Sequence, residues 1–149
     1  MRKPLYVGPP VCPYCQLDSE LIDSDLIYKK SWGMVWICQP CQAWVGVLQG
    51  SKSNRPKGTL AKAELRQLRV EAHGAFDPFW KLQWEVAGKT KSKFRKHYYN
   101  ELADGLGLEH DACHIAMFNE DQCREVLDIC ARWKREAAEA ASLLPDALE

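Results

Sequence analysis

Four cysteines stand in two pairs of one pattern, Cys12-Pro13-Tyr14-Cys15 and Cys38-Gln39-Pro40-Cys41. Each Cys-x-x-Cys turn presents two sulfurs on one side of the chain. Two such turns supply the four thiolates of a tetrahedral zinc site. The 22 residues between the pairs can form a β-hairpin that brings the turns together. Protein then fills every coordination position and leaves none for a catalytic water, so the chemistry is structural. The competing chemistry is thiol–disulfide exchange in a single pair. A redox pair opens a helix in a βαβ unit, whereas here two proline-containing pairs flank one hairpin. The expectation is one structural zinc ion on Cys12, Cys15, Cys38 and Cys41.

A second candidate is the basic run from Lys89 to Asn100, in which cations alternate with aromatic rings. On a helix, Lys91, Arg95 and Tyr99 share one side, and Phe94 and Tyr98 another. Lys91, Lys93, Arg95 and Lys96 can neutralise phosphates, and an exposed ring can stack on a base. The alternative is a solvated helix with its rings buried. A third set is His73, His110, Cys113, His114 and Cys123. These residues allow a second metal site or a Cys/His catalytic pair, against the simpler reading of helix-end histidines and packed thiols. Trp32, Trp36 and Trp44 lie on the thin zinc module. Packing accounts for at least two of them, which leaves one as a binding anchor.

The elements that position these residues fall in two parts. Leu26–Tyr28, Met34–Ile37 and Ala43–Val47 read as three strands around the second Cys pair, with Gly33 in the first hairpin loop. The order knuckle, hairpin, knuckle, strand is that of a zinc ribbon, and metal supplies much of the folding free energy of so small a module. After a Gly/Ser/Pro-rich stretch the pattern turns helical. Thr59 is placed to cap a first helix carrying Leu60, Ala61, Leu65, Leu68 and Ala72. Asp77-Pro78 opens a second, with Phe79, Trp80, Leu82, Trp84 and Val86 on its apolar side and Gly88 at its end. Ser92 caps a third, with Phe94, Tyr98, Leu102 and Leu106 as its stripe. Asn119 and Gln122 form a capping box for the last. Its inward residues are Val126, Leu127, Cys130, Trp133 and Ala137, and it frays by Pro145. The fold class is therefore α+β, an N-terminal four-cysteine zinc ribbon with a C-terminal bundle of about four short helices. The domains are residues 1–50 for the ribbon, 51–58 for a linker loop and 59–149 for the helical domain.

The net charge of zero hides a segregation. Residues 52–97 carry a net +8 and residues 98–149 a net −8. A basic middle suits a polyanion, and an acidic end can cover it or simply solvate a helix. No apolar run approaches a membrane span and no apolar signal core opens the sequence, so a reducing cytoplasm is expected, with no membrane partner. There the seven cysteines read as ligands and buried thiols rather than disulfides.

Several segments together resemble a known family. These are Cys12-Pro13-Tyr14-Cys15, Val35-Trp36-Ile37-Cys38-Gln39-Pro40-Cys41, Gly58-Thr59-Leu60-Ala61, Ala72-His73-Gly74-Ala75-Phe76-Asp77-Pro78-Phe79-Trp80 and Cys113-His114-Ile115-Ala116-Met117-Phe118. In this order they are similar to the zinc-finger-containing proteins of phages and prophages, grouped as a domain of unknown function. The resemblance spans roughly residues 10–132. It implies a four-cysteine zinc site and a phage setting in a bacterial cytoplasm, and it implies no activity.

Three function classes follow. The first is a phage accessory protein that binds nucleic acid through the basic segment. The second is a protein-binding module that modulates a host enzyme such as a polymerase or nuclease. The third is an enzyme using His73, Cys113 and His114. Against the third, the sequence has no Gly-rich phosphate loop, no nucleophile elbow and no carboxylate-rich metal site.

Overall fold

A computed structural model describes residues 8–87 and 91–143, and the side chains of all of these except 83–87. Residues 1–7, the expected helix end at Gly88, the rings of Trp84 and Val86's side chain, and the expected fraying at Pro145 lie outside the described residues. Among the described residues the architecture is α+β, a three-stranded antiparallel sheet and three α-helices. The chain divides into two compact units, Met1–Gln67 and Leu68–Glu149.

In the first unit the strands are β1 (Glu20–Asp23), β2 (Met34–Cys38) and β3 (Ala43–Gly46), in that order across the sheet. Register pairs Glu20 with Ile37 and Asp23 with Met34, then Val35 with Gly46 and Cys38 with Ala43. β1 lies upstream of the expected strand at Leu26–Tyr28. The cause is a one-turn 3-10 helix at Ser24–Leu26. Ser24 is buried; its N–H donates to Gly33 O at 2.9 Å and its Oγ accepts from Trp32 N at 2.7 Å. The Asp23 carboxylate accepts from Asp25 N. These bonds close the loop, and the β-prone Leu26 and Tyr28 are left exposed. β-propensity without a neighbouring strand face to pack on does not make a strand.

Residues 51–58 turn back on the sheet. Leu48 N donates to Arg55 O, Lys57 N donates to Gly46 O, and the indole N–H of Trp36 donates to Asn54 O at 2.7 Å. Ala61 then exchanges both backbone bonds with Trp44, each at 3.1 Å. This extended pairing delays the first helix, which begins at Ala63 and not at the expected Thr59 cap. Leu60 and Ala61 belong to the ribbon's core instead.

The helices are α1 (Ala63–Ala87), α2 (Lys91–Leu106) and α3 (Glu120–Ser142). The expected two short helices before residue 88 are one helix of 25 residues with Pro78 inside it. An interior proline costs about 3 kcal/mol through its missing N–H and its ring. The buried stripe Leu65, Arg69, Ala72, Phe76 and Trp80 crosses Pro78 without a change of phase. Burying Phe76 and Trp80 offsets the proline at about 1.5–3 kcal/mol for each large side chain. Asp77 accepts from the Trp80 indole at 3.0 Å, a bond made along the helix rather than at a new cap.

In the second unit an aromatic cluster joins the three helices. Trp133 of α3 meets Phe76 and Phe79 of α1 at 6.4 and 5.3 Å and Tyr98 of α2 at 6.1 Å. Beside it, Phe76 and Tyr99 are in edge contact at 4.6 Å. Two 3-10 turns, His110–Ala112 and Ile115–Met117, lead into α3. The capping box forms in full: Asn119 accepts from Gln122 N, and the Gln122 side chain accepts from Asn119 N, both at 2.9 Å. The buried face of α3 is Cys123, Val126, Ile129 and Cys130, with Trp133 half-buried. Ala137, expected inward, is exposed, as is every residue from Lys134 to Leu143.

Candidate metal centre

Two backbone turns, each followed by a glutamine, hold the four cysteines. In the first, Cys12 N donates to Leu17 O and Gln16 N donates to Cys12 O, both at 2.8 Å. In the second, Cys38 ends β2 and Gln42 N donates to Gln39 O at 3.3 Å. The residue after each pair is a glutamine in the left-handed region, Gln16 at φ 66° and Gln42 at φ 53°. Each glutamine amide reaches back three residues, Gln16 Nε2 to Pro13 O at 3.1 Å and Gln42 Nε2 to Gln39 O at 2.8 Å. Left-handed backbone is unfavourable for a residue with a Cβ. The back-bonding amide is the local compensation. These glutamines were not among the expected site residues, although the shared letter after both pairs is visible in the sequence.

The Sγ atoms of Cys12, Cys15, Cys38 and Cys41 all lie within 4.8 Å of one another. The Cys15 and Cys38 sulfurs are 3.5 Å apart. Tetrahedral zinc with Zn–S bonds of about 2.3 Å needs sulfurs about 3.8 Å apart, so the cluster has the size of a zinc site. Cys12 and Cys38 are fully buried against Ala43 and Leu60, with Trp36 and Val45 packed around them. All seven cysteines are free thiols.

The electrostatics of the set call for a cation. The Cys15 thiol lies below its ordinary value, first because the Leu17 backbone N–H bonds its sulfur, with smaller help from the neighbouring thiols. Cys41 is pushed up to about 12, first by its hydrogen bond with Cys15 and then by burial and the other sulfurs. At Cys38 the Cys41 backbone N–H favours the thiolate, but burial together with Cys15 and Cys12 raises the net value. Four thiolates this close repel one another, and a divalent ion replaces the protons they would otherwise keep. The donor set is able to hold one metal ion, consistent with one structural zinc. Among the described residues it is the one group of three or more metal-binding side chains.

The remaining candidates are placed as follows. His73 Nδ1 lies 2.9 Å from Arg69 O, one helical turn back. His110 Nε2 lies 2.9 Å from the Asp104 carboxylate on the surface. Cys113 is buried, and burial pushes its thiol up to about 11, so it is protonated at neutral pH rather than poised as a nucleophile. His114 is exposed, and Cys123 is buried in the α3 face.

Lys91, Lys93, Arg95 and Lys96 are all exposed on the first turns of α2. The Lys91 ammonium lies 5.4 Å from the Trp80 ring centroid and the Arg95 guanidinium 4.9 Å from that of Tyr99. Phe94, Tyr98 and Tyr99 are half-buried. Of the ribbon tryptophans, Trp36 and Trp44 are half-buried and Trp32 is 73% exposed.

A family model described as a zinc-finger-containing domain matches residues 9–133, from just before the first Cys pair to Trp133 of α3. No curated protein and no solved structure gives a match. Among the described residues no helix is long and apolar enough to cross a membrane.

Proposed function

The chain belongs to the zinc-finger-containing domain family, and from that premise we propose that it is a nucleic-acid-binding accessory protein that contacts phosphates through Lys91, Lys93, Arg95 and Lys96. The observation that carries this reading is where those cations sit. All four are exposed in the first six residues of α2, and the first turn of that helix has no acidic residue. Positive side chains at the positive end of a helix dipole weaken the helix. A sequence selected for stability alone would place carboxylates there. Among the described residues none of the four forms an ion pair. Their field adds to that of the α2 N-terminus and attracts anions. Tyr98 and Tyr99 of the same segment pack into the aromatic cluster, so charge is the main feature α2 offers. Such contacts position a nucleic acid without reading its sequence.

The setting proposed for this activity is a phage or prophage protein working in a bacterial cytoplasm, supported by the motif order from Cys12 to Phe118. The division of labour proposed is a metal-held ribbon that takes in the 51–58 loop, Leu60 and Ala61, and a helical part beyond it that carries the cations. The zinc ion in this scheme is structural and holds the ribbon together.

Fluorescence anisotropy with labelled DNA and RNA tests the reading. Log affinity falls linearly with log salt, and replacing the four cations with Ala weakens binding for every sequence and flattens the slope by about three. The helix survives, because Ala is the best helix former. Absence of binding to DNA and RNA at low salt refutes the proposal. A second reading, a protein-binding module acting on a host enzyme such as a polymerase or nuclease, draws support from Leu26 and Trp32, which are 74% and 73% exposed at the ribbon's tip. Large exposed apolar side chains mark protein contacts. A partner band recovered from bacterial lysate that survives nuclease and is lost with Trp32→Ala selects this second reading.

A further inference from the structure

Within the first unit a strip of aromatic rings and cations runs from the first Cys pair along the ribbon. It begins at Tyr14, inside the first Cys pair. The Lys62 ammonium lies 4.6 Å from the Tyr14 ring centroid, and the Tyr14 hydroxyl accepts from Lys62 N at 3.1 Å. One turn further on, the Arg66 guanidinium lies 3.4 Å from the centroid of Trp44. Its Nη1 donates to Ala61 O, which fixes the guanidinium on the indole. The Trp44 indole N–H donates to the Tyr28 hydroxyl at 3.3 Å, and the Tyr28 ring meets Trp44 edge-on.

The ribbon's folding does not require this strip to be open. Its core is built from Cys12, Cys38, Ala43 and Leu60. Tyr14 and Tyr28 are 38% and 45% exposed, Lys62 is exposed, and Trp44 and Arg66 are half-buried. Among the described residues neither Lys62 nor Arg66 forms an ion pair. Two cations without carboxylates, interleaved with three rings that keep surface in water, have the composition of a single-strand platform. There open ring surface, together with the guanidinium plane lying on Trp44, stacks on bases, and the cations track phosphates. A guanidinium already stacked and hydrogen-bonded loses little freedom when it meets an anion. A duplex hides the faces of its bases, so the rings discriminate against it. An acidic peptide would use the two cations and leave the rings idle.

We propose that the strip Tyr14–Lys62–Arg66–Trp44–Tyr28 docks single-stranded nucleic acid. The proposal rests on the reading of the protein as a nucleic-acid binder, and adds to it the form of the strand and a surface on the first unit.

The test uses the zinc-loaded full chain, labelled oligothymidylate of about 20 nucleotides and a duplex of the same length. Tyr28→Ala and Lys62→Gln change exposed side chains and are compared with the four-alanine variant of α2. Each strip variant is expected to lose about tenfold in affinity for the single strand, keep its duplex affinity and retain its zinc. Wild-type single-strand binding by both strip variants overturns the proposal. Loss confined to the α2 variant overturns it too, while leaving α2 as the binding surface. Loss confined to the strip variants sustains it and removes α2 from the account. Ultraviolet cross-linking of the wild-type complex gives a readout independent of any variant's folding. Adducts on the peptides carrying Tyr14, Tyr28 or Trp44 support the strip, and adducts confined to α2 contradict it.

Discussion

Trp133→Ala tests how the helical unit is held together. The Trp133 indole is half-buried and meets three rings, Phe76 and Phe79 of α1 and Tyr98 of α2. A fully buried tryptophan costs about 3–5 kcal/mol on truncation to alanine. Half burial reduces the transfer part to roughly half, and each lost aromatic pair restores about 0.5–1.5 kcal/mol. With the three ring pairs taken at the low end of that range, the net expectation is about 3–4 kcal/mol. At about 2–4 °C per kcal/mol for a chain of this size, the melting temperature falls by about 10 °C. The assay is thermal unfolding followed by helical circular dichroism, with zinc held constant. Trp32→Ala is the internal control, since Trp32 is 73% exposed and lies on the other unit; its melting temperature stays within about 2 °C of wild type. If Trp133→Ala is as harmless as Trp32→Ala, the three-helix aromatic cluster does not exist in solution.

Other outcomes follow from single contacts. Removing the capping box with Asn119→Ala costs about 1 kcal/mol by denaturant unfolding, and no change shows that α3 does not start there. A Cβ at Gly105 would sit 3.1 Å from Ile129 Cδ1, so Gly105→Val overpacks the α2–α3 contact and destabilises by about 1–3 kcal/mol. Burial raises the Cys113 and Cys130 thiols from the ordinary 9.0 to about 11. The stability they contribute is complete below pH 9 and is lost as pH rises toward 11, because the unfolded chain ionises first. A double Cys113→Ala, Cys130→Ala variant therefore shows a shallower alkaline fall in melting temperature than wild type, and identical falls contradict the assignment. In the zinc-loaded protein a thiol reagent at neutral pH finds no reactive cysteine. A chelator exposes four, and denaturant exposes all seven free thiols.

The metal centre was legible in the sequence because its information is local. A Cys-x-x-Cys turn places its own sulfurs, and two of them need only a hairpin to meet. The α3 cap was legible for the same reason, since Asn119 and Gln122 satisfy each other within one turn. What escaped depends on partners distant in sequence. Leu26–Tyr28 has strand composition, but Ser24 bonds across the loop to Trp32 and Gly33 and spends those residues on a turn. Pro78 reads as a helix start, yet burial of Phe76 and Trp80 on both sides of it carries α1 through. Thr59 reads as a cap, but Trp44 claims Ala61 for a strand-like pair. The paired roles of Gln16 and Gln42 needed the backbone angles, although the repeated letter was in view. The cation–aromatic stack of Arg66 on Trp44 joins residues 22 positions apart and has no signature in spacing alone.

The account rests above all on one zinc ion held by four sulfurs. Zinc-edge X-ray absorption on the purified protein measures that shell directly. The structure predicts four sulfur scatterers at about 2.3 Å, from Cys12, Cys15, Cys38 and Cys41, and no nitrogen. A first shell containing nitrogen at about 2.0 Å would bring a histidine into the site and contradict it.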